Sequence, residues 1–581
     1  MKFGIPNILL NILFLPILFL PFETNLITSA EPLEENSSTV IWQDDFKSEK
    51  LNGWKVSNEV KDEESNWFIE KGFLIQDTDC GNTKTLFGTN IFNGDNSWSD
   101  YVLRTNLVCT DDDYIGVLFR VIDENNFYRF LLSSQRKFIG IDKKVDGKYI
   151  PIISYTKDEW EYVRFSVTIF LKDDNIKVYL NDELFFDIND DQFAHGAIGF
   201  TSISNLGSFF DDVTIYSDYT IERKKTVQKI SRGPYLQNLL DNHAVVMWNT
   251  ALPAKSIIEY GQSKENTKLI EITDLTLEHE VKIEGLERES VYYYRVKADS
   301  LTSNWYSFKS AVNDTSSFSF IIYGDTQLNF LRHTEIASQF PKNNFDFIIH
   351  CGDVVQYAPR DDWDVEFFDP LKNILSSKPI YAAIGNHALN SENFYKNFSN
   401  PNPEHENYYS FQYGNSFFIV IDNPRAGYPD RSYYTDYTKG SKQYRWLESE
   451  LSSEKAQNAE WIFVVSHIPS YVAGTQDFFS GCKENLVPLF EKYNIDFSFS
   501  GHVHGYERGK VNNVNYIITA GGGGALNKKG SSYLKQYKDF KRVYNFCRID
   551  VSGSTISFYA FDKNNEVIDE FSVTKETNGD N

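Results

Sequence analysis

Cysteine is scarce. Five in 581 residues are too few and too scattered for the disulfide framework that staples small exported domains. Cys80 and Cys109 lie in one region and could bridge in an oxidising compartment, whereas Cys351 sits in an apolar run and reads as a buried thiol. Positive charge is also short: 57 Lys and Arg against 81 Asp and Glu leave a net charge of -24. An acidic surface of this kind disfavours the backbone of duplex nucleic acid and anionic lipid. It does not exclude small phosphate esters, because bound divalent cations reverse the local field inside a pocket. Long apolar runs are missing after the first thirty residues. The run Ile8 to Phe22 is interrupted by Pro16 and Pro21 and falls short of the roughly 20 residues that a spanning helix needs. With Lys2 before it and Thr28-Ser29-Ala30 after it, residues 1–30 read as a secretory leader cut after Ala30. The expectation is a secreted or periplasmic protein with no membrane span after cleavage. Internal repeats and low-complexity tracts are absent as well.

What is present divides the chain, whose length suggests about three to four domains. Residues 38–217 alternate with period two: Val163, Phe165, Val167 and Ile169 point one way, Arg164, Ser166 and Thr168 the other. That pattern predicts a β-sandwich without long helices. Trp42, Trp54, Trp67, Trp98 and Trp160 could form a sugar platform or ordinary core. Asp111-Asp112-Asp113 and Asp211-Asp212 could hold a structural calcium or simply face water. Residues 218–230 are polar and read as a linker. Residues 231–311 predict a smaller β domain with strands in HAVVMWNT, SIIEYG, HEVKIEG and VYYYRVKA. Residues 314–575 change class. Continuous apolar strands alternate with polar segments, one of them helical with Tyr444, Leu447 and Leu451 on one face, which describes an α/β domain covered on both sides.

The chemistry lies at the ends of those strands. In order they read Gly324-Asp325, Gly352-Asp353, Gly385-Asn386-His387, Ser466-His467 and Gly501-His502-Val503-His504. Singly each is an ordinary turn. Together they bring two carboxylates, an amide and several imidazoles to one rim, a mixed N/O set suited to divalent transition metals rather than calcium.

This ordered set resembles the calcineurin-like metallophosphoesterases, and GHVHGYER, YSFQYG, SKQYRWLESEL and ITAGGGGAL resemble the purple acid phosphatase branch in particular. RGPYLQ, the Trp248 strand and YYYRVKA resemble that branch's fibronectin-III-like N-terminal domain. DYIGVLFRVIDENNFYRFLL and WEYVRFSVTIF resemble a laminin-G or concanavalin-like jelly roll, which implies a carbohydrate ligand or a plain spacer. The implied fold is a multidomain one: jelly roll, small β-sandwich, then a four-layer α/β metallophosphoesterase domain. The implied activity is hydrolysis of a small phosphate monoester or diester by a water activated between two metals (Fe, Mn or Zn). The competing reading is a glycan- or matrix-binding protein with a slow or vestigial phosphoesterase domain. Carried over by motif, Asp325, Asp353 and His504 hold one metal and Asp353, Asn386, His467 and His502 the other, with Asp353 as bridge. His387 contacts the phosphoryl group beside Asn386, and Tyr471, Tyr506 and Arg508 are rim residues, the last two with a bracing role as the alternative. Three positions depart from the pattern. Gln327 replaces a ligand histidine and can coordinate weakly, hydrogen-bond or leave a position to solvent. Gln356 replaces the tyrosine of purple centres, and Ala388 replaces the acid expected to orient His387.

Overall fold

The computed structural model describes residues 38–576 except 112, 135, 157–162, 220–225, 300, 360–362, 403–405, 425–434, 473–479 and 528–539. The predicted leader, Asp112, Trp160 and much of the predicted linker lie outside the described residues.

Alternating side chains in the first part produce two packed antiparallel sheets. One runs Glu183–Asn189, Asn175–Leu180, Arg164–Lys172, Tyr101–Cys109, Ser208–Asp218, Phe73–Gln76 and Trp67–Glu70, with Thr39–Asp44 also paired to Ser208–Asp218. The other runs Lys148–Thr156, Phe138–Val145, Asn126–Ser133, Tyr114–Asp123, Ala197–Ile203, Thr89–Asn93 and Lys55–Asn58. Phe165, Val167, Ile169 and Leu171 are buried in their shared core, as the alternation predicts. No helix interrupts this region among the described residues.

The structure bears on three alternatives left open for this sandwich. Trp54 and Trp67 are buried, their indole N–H groups donating to Asp44 (3.0 Å) and Thr89 (2.7 Å), and Trp42 and Trp98 pack on the same core. Their apolar area is consumed by packing, so these four tryptophans form no sugar platform. Cys80 and Cys109 are not bridged to each other; the Cys109 sulfur accepts a hydrogen bond from Asn205 Nδ2 at 3.2 Å. Asp112 aside, the described residues of the acidic pairs converge on no shared point. Asp111 accepts the Leu206 N–H at 2.8 Å, whereas Asp211 lies on the strand opposite Asn106, with its carboxyl pushed up to about 6 by burial and by Asp212.

The second part is one six-stranded antiparallel sheet. HAVVMWNT and SIIEYG, predicted as separate strands, are a single strand, His243–Gly261. Register shifts between Asn249 and Ser256 let it bend there without breaking. Its first half pairs with Ile230–Leu240 and its second with Val291–Ala298, so Trp248 and Tyr294 meet in one core. Arg232 ties this part to the next through Asp364 and Asn397, both at 2.6 Å.

The third part stacks two six-stranded sheets between helices. One contains the parallel neighbours Phe318–Tyr323, Phe347–His350 and Ile380–Ala382, extended by the antiparallel strands Asn545–Ser552, Thr555–Asp562 and Val567–Thr574. The other contains the parallel neighbours Ser416–Val420, Trp461–Val465, Phe497–Ser500 and Val514–Thr519. Phe320, Phe347, Phe418, Phe463 and Phe499 fill the space between them. Each such ring, fully buried, contributes about 2–3 kcal/mol. Helices Phe330–Ala337 and Asp369–Leu375 cover the outer face of the first sheet; Lys442–Leu451, with Tyr444, Leu447 and Leu451 buried as predicted, and Ser480–Lys492 cover the second. No helix among the described residues is long and apolar enough to cross a membrane.

Candidate metal centre

Five parallel strands, three from one sheet and two from the other, deliver their carboxyl ends to one place. Asp325 follows Phe318–Tyr323, Asp353 follows Phe347–His350, and Asn386 and His387 follow Ile380–Ala382. His467 follows Trp461–Val465, and His502 and His504 follow Phe497–Ser500. The chain turns abruptly at three of these residues: Asp325, Asp353 and His502 have left-handed backbones, with φ of 61°, 53° and 69°. Each such non-glycine conformation costs of order 1–3 kcal/mol, and the surrounding contacts must hold it. Those contacts are present. The His502 N–H donates to both Asp325 oxygens (2.9 and 3.0 Å), and the His387 N–H donates to Asp353 Oδ1 (2.9 Å).

Around Asn386 the side chains converge. His467 Nε2 lies 2.8 Å from Asn386 Oδ1 and 3.0 Å from Asp353 Oδ2, and His502 Nδ1 lies 2.9 Å from the same amide oxygen. Asp353, His467 and His502 offer ligand atoms within 4.8 Å of one another, the one His/Cys/Asp/Glu group of that kind among the described residues. The tautomer of His467 is fixed, because Nδ1–H donates to the Cys351 carbonyl at 2.9 Å and turns Nε2 inward. Burial alone would keep this ring neutral, but the Asp353 carboxylate beside it carries it up to about 9. Burial likewise opposes ionisation of Asp353, yet the His467 and His387 imidazoles outweigh it and hold the carboxyl far below its usual range. His502 goes the other way: burial and the neighbouring His467 push it down to about 3.

On the other side stand Asp325, Gln327 and His504. His504 Nδ1–H donates to the Ala525 carbonyl at 2.8 Å, so Nε2 faces Asp325 Oδ1 at 3.4 Å. Gln327 Nε2 lies 3.3 Å from His504 Nε2 and 3.5 Å from Asp353 Oδ2, while its buried Oε1 has no hydrogen-bond partner among the described residues. A buried amide oxygen without a donor is costly. It is what a cation or a substrate group would complete.

His387 is oriented by a backbone carbonyl. Its Nδ1–H donates to the Gln356 carbonyl at 2.8 Å, and its Nε2 lies 3.9 Å from Asp353 Oδ2. The side chain of Ala388 is buried in an apolar cluster with Phe394 and Phe398, so an acid there would enter that cluster and not serve His387. The proposed rim dissolves. Tyr506 is 1% exposed and donates to Asp569 at 2.8 Å; Arg508 pairs with the same carboxylate at 2.6 Å and lies over Phe571. Tyr471 is buried against Tyr516, ring centres 4.7 Å apart. All three are taken up in packing, and bracing is the role that Tyr506 and Arg508 have.

Sequence reasoning missed two supports. Glu366, on the π-helical turn Asp364–Phe368, accepts the N–H groups of Leu328 (2.9 Å) and Gln356 (3.0 Å), tying together the loops that follow Asp325 and Asp353. The glycine run after Val514–Thr519 lays bare backbone on the first loop, with Gly522 N–H donating to Gly324 and Gly524 N–H to Asp325, both at 2.9 Å. The four consecutive glycines were the available signal for the second; a lone Glu carried none for the first.

A family model described as calcineurin-like phosphoesterase matches residues 318–506, and one described as purple acid phosphatase, N-terminal domain, matches residues 235–310. Residues 318–506 are therefore a calcineurin-like phosphoesterase domain. The chain is 24% identical to a phosphoenolpyruvate phosphatase of Allium cepa, over 58% of this chain and 78% of that one. It is 27% identical to purple acid phosphatase 18 of Arabidopsis thaliana, over 52% and 71% of the two chains. Against the Fe(3+)-Zn(2+) purple acid phosphatase 12 of the same plant the identity is 23%, over 57% and 75%. The fold is that of the purple acid phosphatase PPD1 from yellow lupin (Lupinus luteus) seeds, with a TM-score of 0.54, 16% identity, and 90% and 95% of the two chains covered.

Proposed function

We propose that the metallophosphoesterase hydrolyses a small phosphate ester with two cations, one held by Asp353, Asn386, His467 and His502 and the other by Asp325, Asp353 and His504 with Gln327 beside it. The observation that carries this reading is the convergence of Asp353 Oδ2, Asn386 Oδ1, His467 Nε2 and His502 Nδ1 on one point, next to a second set containing the unpartnered Gln327 Oε1. Cations held by these residues would neutralise charge on phosphoryl oxygens and would make water acidic enough to act as nucleophile at neutral pH.

The chain's own groups do the rest. Asp353 is kept ionised by its imidazole neighbours and serves both sets. His467 and His504 are fixed as Nδ1–H tautomers by carbonyl groups, which leaves Nε2 lone pairs for coordination. His387, held by the Gln356 carbonyl, presents Nε2 on the side of the leaving group and donates a proton there when charged. Gln356 stands where purple centres carry tyrosine, so the protein is expected to be colourless, with Mn, Zn or Fe(II) rather than phenolate-bound Fe(III). The leader at residues 1–30 supports export, with Ala30 the last residue removed.

The test uses full-length protein dialysed against chelator, then restored with Mn, Zn or Fe. Aryl monoester and diester substrates with one leaving group are compared. Activity is expected to vanish on stripping and to return on add-back; undiminished hydrolysis by stripped protein would overturn the reading.

A further inference from the structure

The loop carrying Asp325 and Gln327 is held from outside its own domain. Leu328, the next residue, is also left-handed, at φ 72°. Its N–H donates to Glu366, and its carbonyl accepts a hydrogen bond from the Thr110 hydroxyl of the N-terminal sandwich. Thr110 is fully buried and braced from behind: its N–H donates to the Gly207 carbonyl at 3.1 Å, and Asp111 beside it accepts the Leu206 N–H.

Two residues after Leu328 the helix Phe330–Ala337 begins, and it too lies against the sandwich. Phe330 meets Phe73 and Phe209 at ring-centre distances of 5.4 and 4.8 Å. Arg332 makes a two-toothed pair with Glu70 at 2.8 and 2.7 Å, and Glu335 pairs with Lys71 at 3.1 Å. One apolar cluster joins Ile75, Val108 and Phe209 of the sandwich to Phe330, Leu331 and Val365. Val365 adjoins Glu366, so the sandwich touches both elements that fix the first ligand loop.

We infer that the N-terminal sandwich is a positioning element of the metal centre, with Thr110 and Glu70 holding the Asp325–Gln327 loop in its ligating conformation. Two left-handed residues within four positions are unfavourable for a free loop and persist only where the surroundings over-determine them. On the Asn386 side the strands supply that support from within the domain. On the Asp325 side part of it comes from 218 residues upstream, through Thr110.

This inference rests on the two-cation reading, and its test separates the two. Full-length, metal-stripped wild type, Thr110→Val, Thr110→Ser, Glu70→Ala and Asp325→Ala are titrated with Mn or Zn by calorimetry, with thermal melts as a check of folding. The binding step lost in Asp325→Ala marks the first cation. Thr110→Val is expected to raise the Kd of that step about tenfold and leave the other step unchanged, as loss of groups behind a ligand commonly does. Thr110→Ser keeps the hydroxyl and is expected to stay within about twofold. Glu70→Ala, a partly exposed pair, is expected to cost about threefold. Should Thr110→Val fail to fold, Glu70→Ala decides the matter, because Glu70 lies on the rim of the contact. Wild type that takes up no cation would overturn the two-cation reading and this inference with it. Wild type that takes up two, with Thr110→Val and Glu70→Ala titrating identically to it, would overturn the positioning role alone.

Discussion

The two halves of the centre are built to different standards. On the Asn386 side the ligand atoms lie 2.8–3.2 Å apart, and one carbonyl fixes the tautomer of His467. On the Asp325 side the corresponding distances are 3.3–3.5 Å, one buried amide oxygen is unpartnered, and the loop is braced from three directions. The comparison teaches that a ligand set can be complete in residue type and still unequal in preorganisation. A side that must be propped should bind its ion more weakly.

Asp353 belongs to both halves, and breaking it should erase the difference. Asp353→Asn is expected to reduce kcat by at least about a thousandfold and to release both ions, where His467→Ala releases mainly one. Mass-spectrometric metal content after dialysis checks this; retention at the wild-type level would refute it. Acid should strain the Asp325 side next. His333, on the helix behind that loop, donates Nδ1–H to the Glu366 carbonyl at 2.7 Å, and burial holds it down to about 4 against an ordinary 6.5. The unfolded chain therefore takes up a proton below pH 6.5 while the native chain resists until about 4. Stability that is fully present above the first value is lost as pH falls toward the second, about 3 kcal/mol in all. Urea unfolding at pH 7 and pH 4.5 is expected to show this decline, with a smaller one in His333→Gln. Substituting Gln327→His sharpens the comparison from the other direction. The first ion should tighten about tenfold and the second should not change, since an imidazole donates more strongly than an amide. Two equally tight sites in wild type would contradict that expectation in a single calorimetric run. The smallest effect is expected at Tyr506. Tyr506→Phe removes only the hydrogen bond to Asp569, so stability should fall by about 1 kcal/mol and KM should stay within about twofold; a large KM change would return Tyr506 to the substrate site.

Much of the centre was legible because its ligands sit at the ends of continuous apolar strands. Strand order brings Asp325, Asp353, Asn386, His467 and His502 to one rim. Direction was harder to read. Tyr506 and Arg508 follow His504 closely enough to suggest a rim, but their partner Asp569 arrives from about sixty residues later, and nothing near them in the chain announces it. Trp54 and Trp67 were ambiguous for the same reason: alternation says which residues share a face, not whether that face is covered. The bend in His243–Gly261 was read as a break because its turn-like centre, around Pro253, carries the same residues as a true connection. Glu366 was invisible, since a single acid in an apolar segment has no pattern around it.

The ligands are also fitted against bare backbone. A Cβ added at Gly385 would lie 2.1 Å from Asp353 Oδ1, and one added at Gly501 would lie 2.4 Å from Asp325 Oδ2. A survey that replaces each residue with alanine and reads out catalysis would therefore flag these two positions as sharply as the acids they adjoin. Neither glycine carries a functional group, so a ranking by loss of activity would mix residues that act with residues whose only contribution is to leave room.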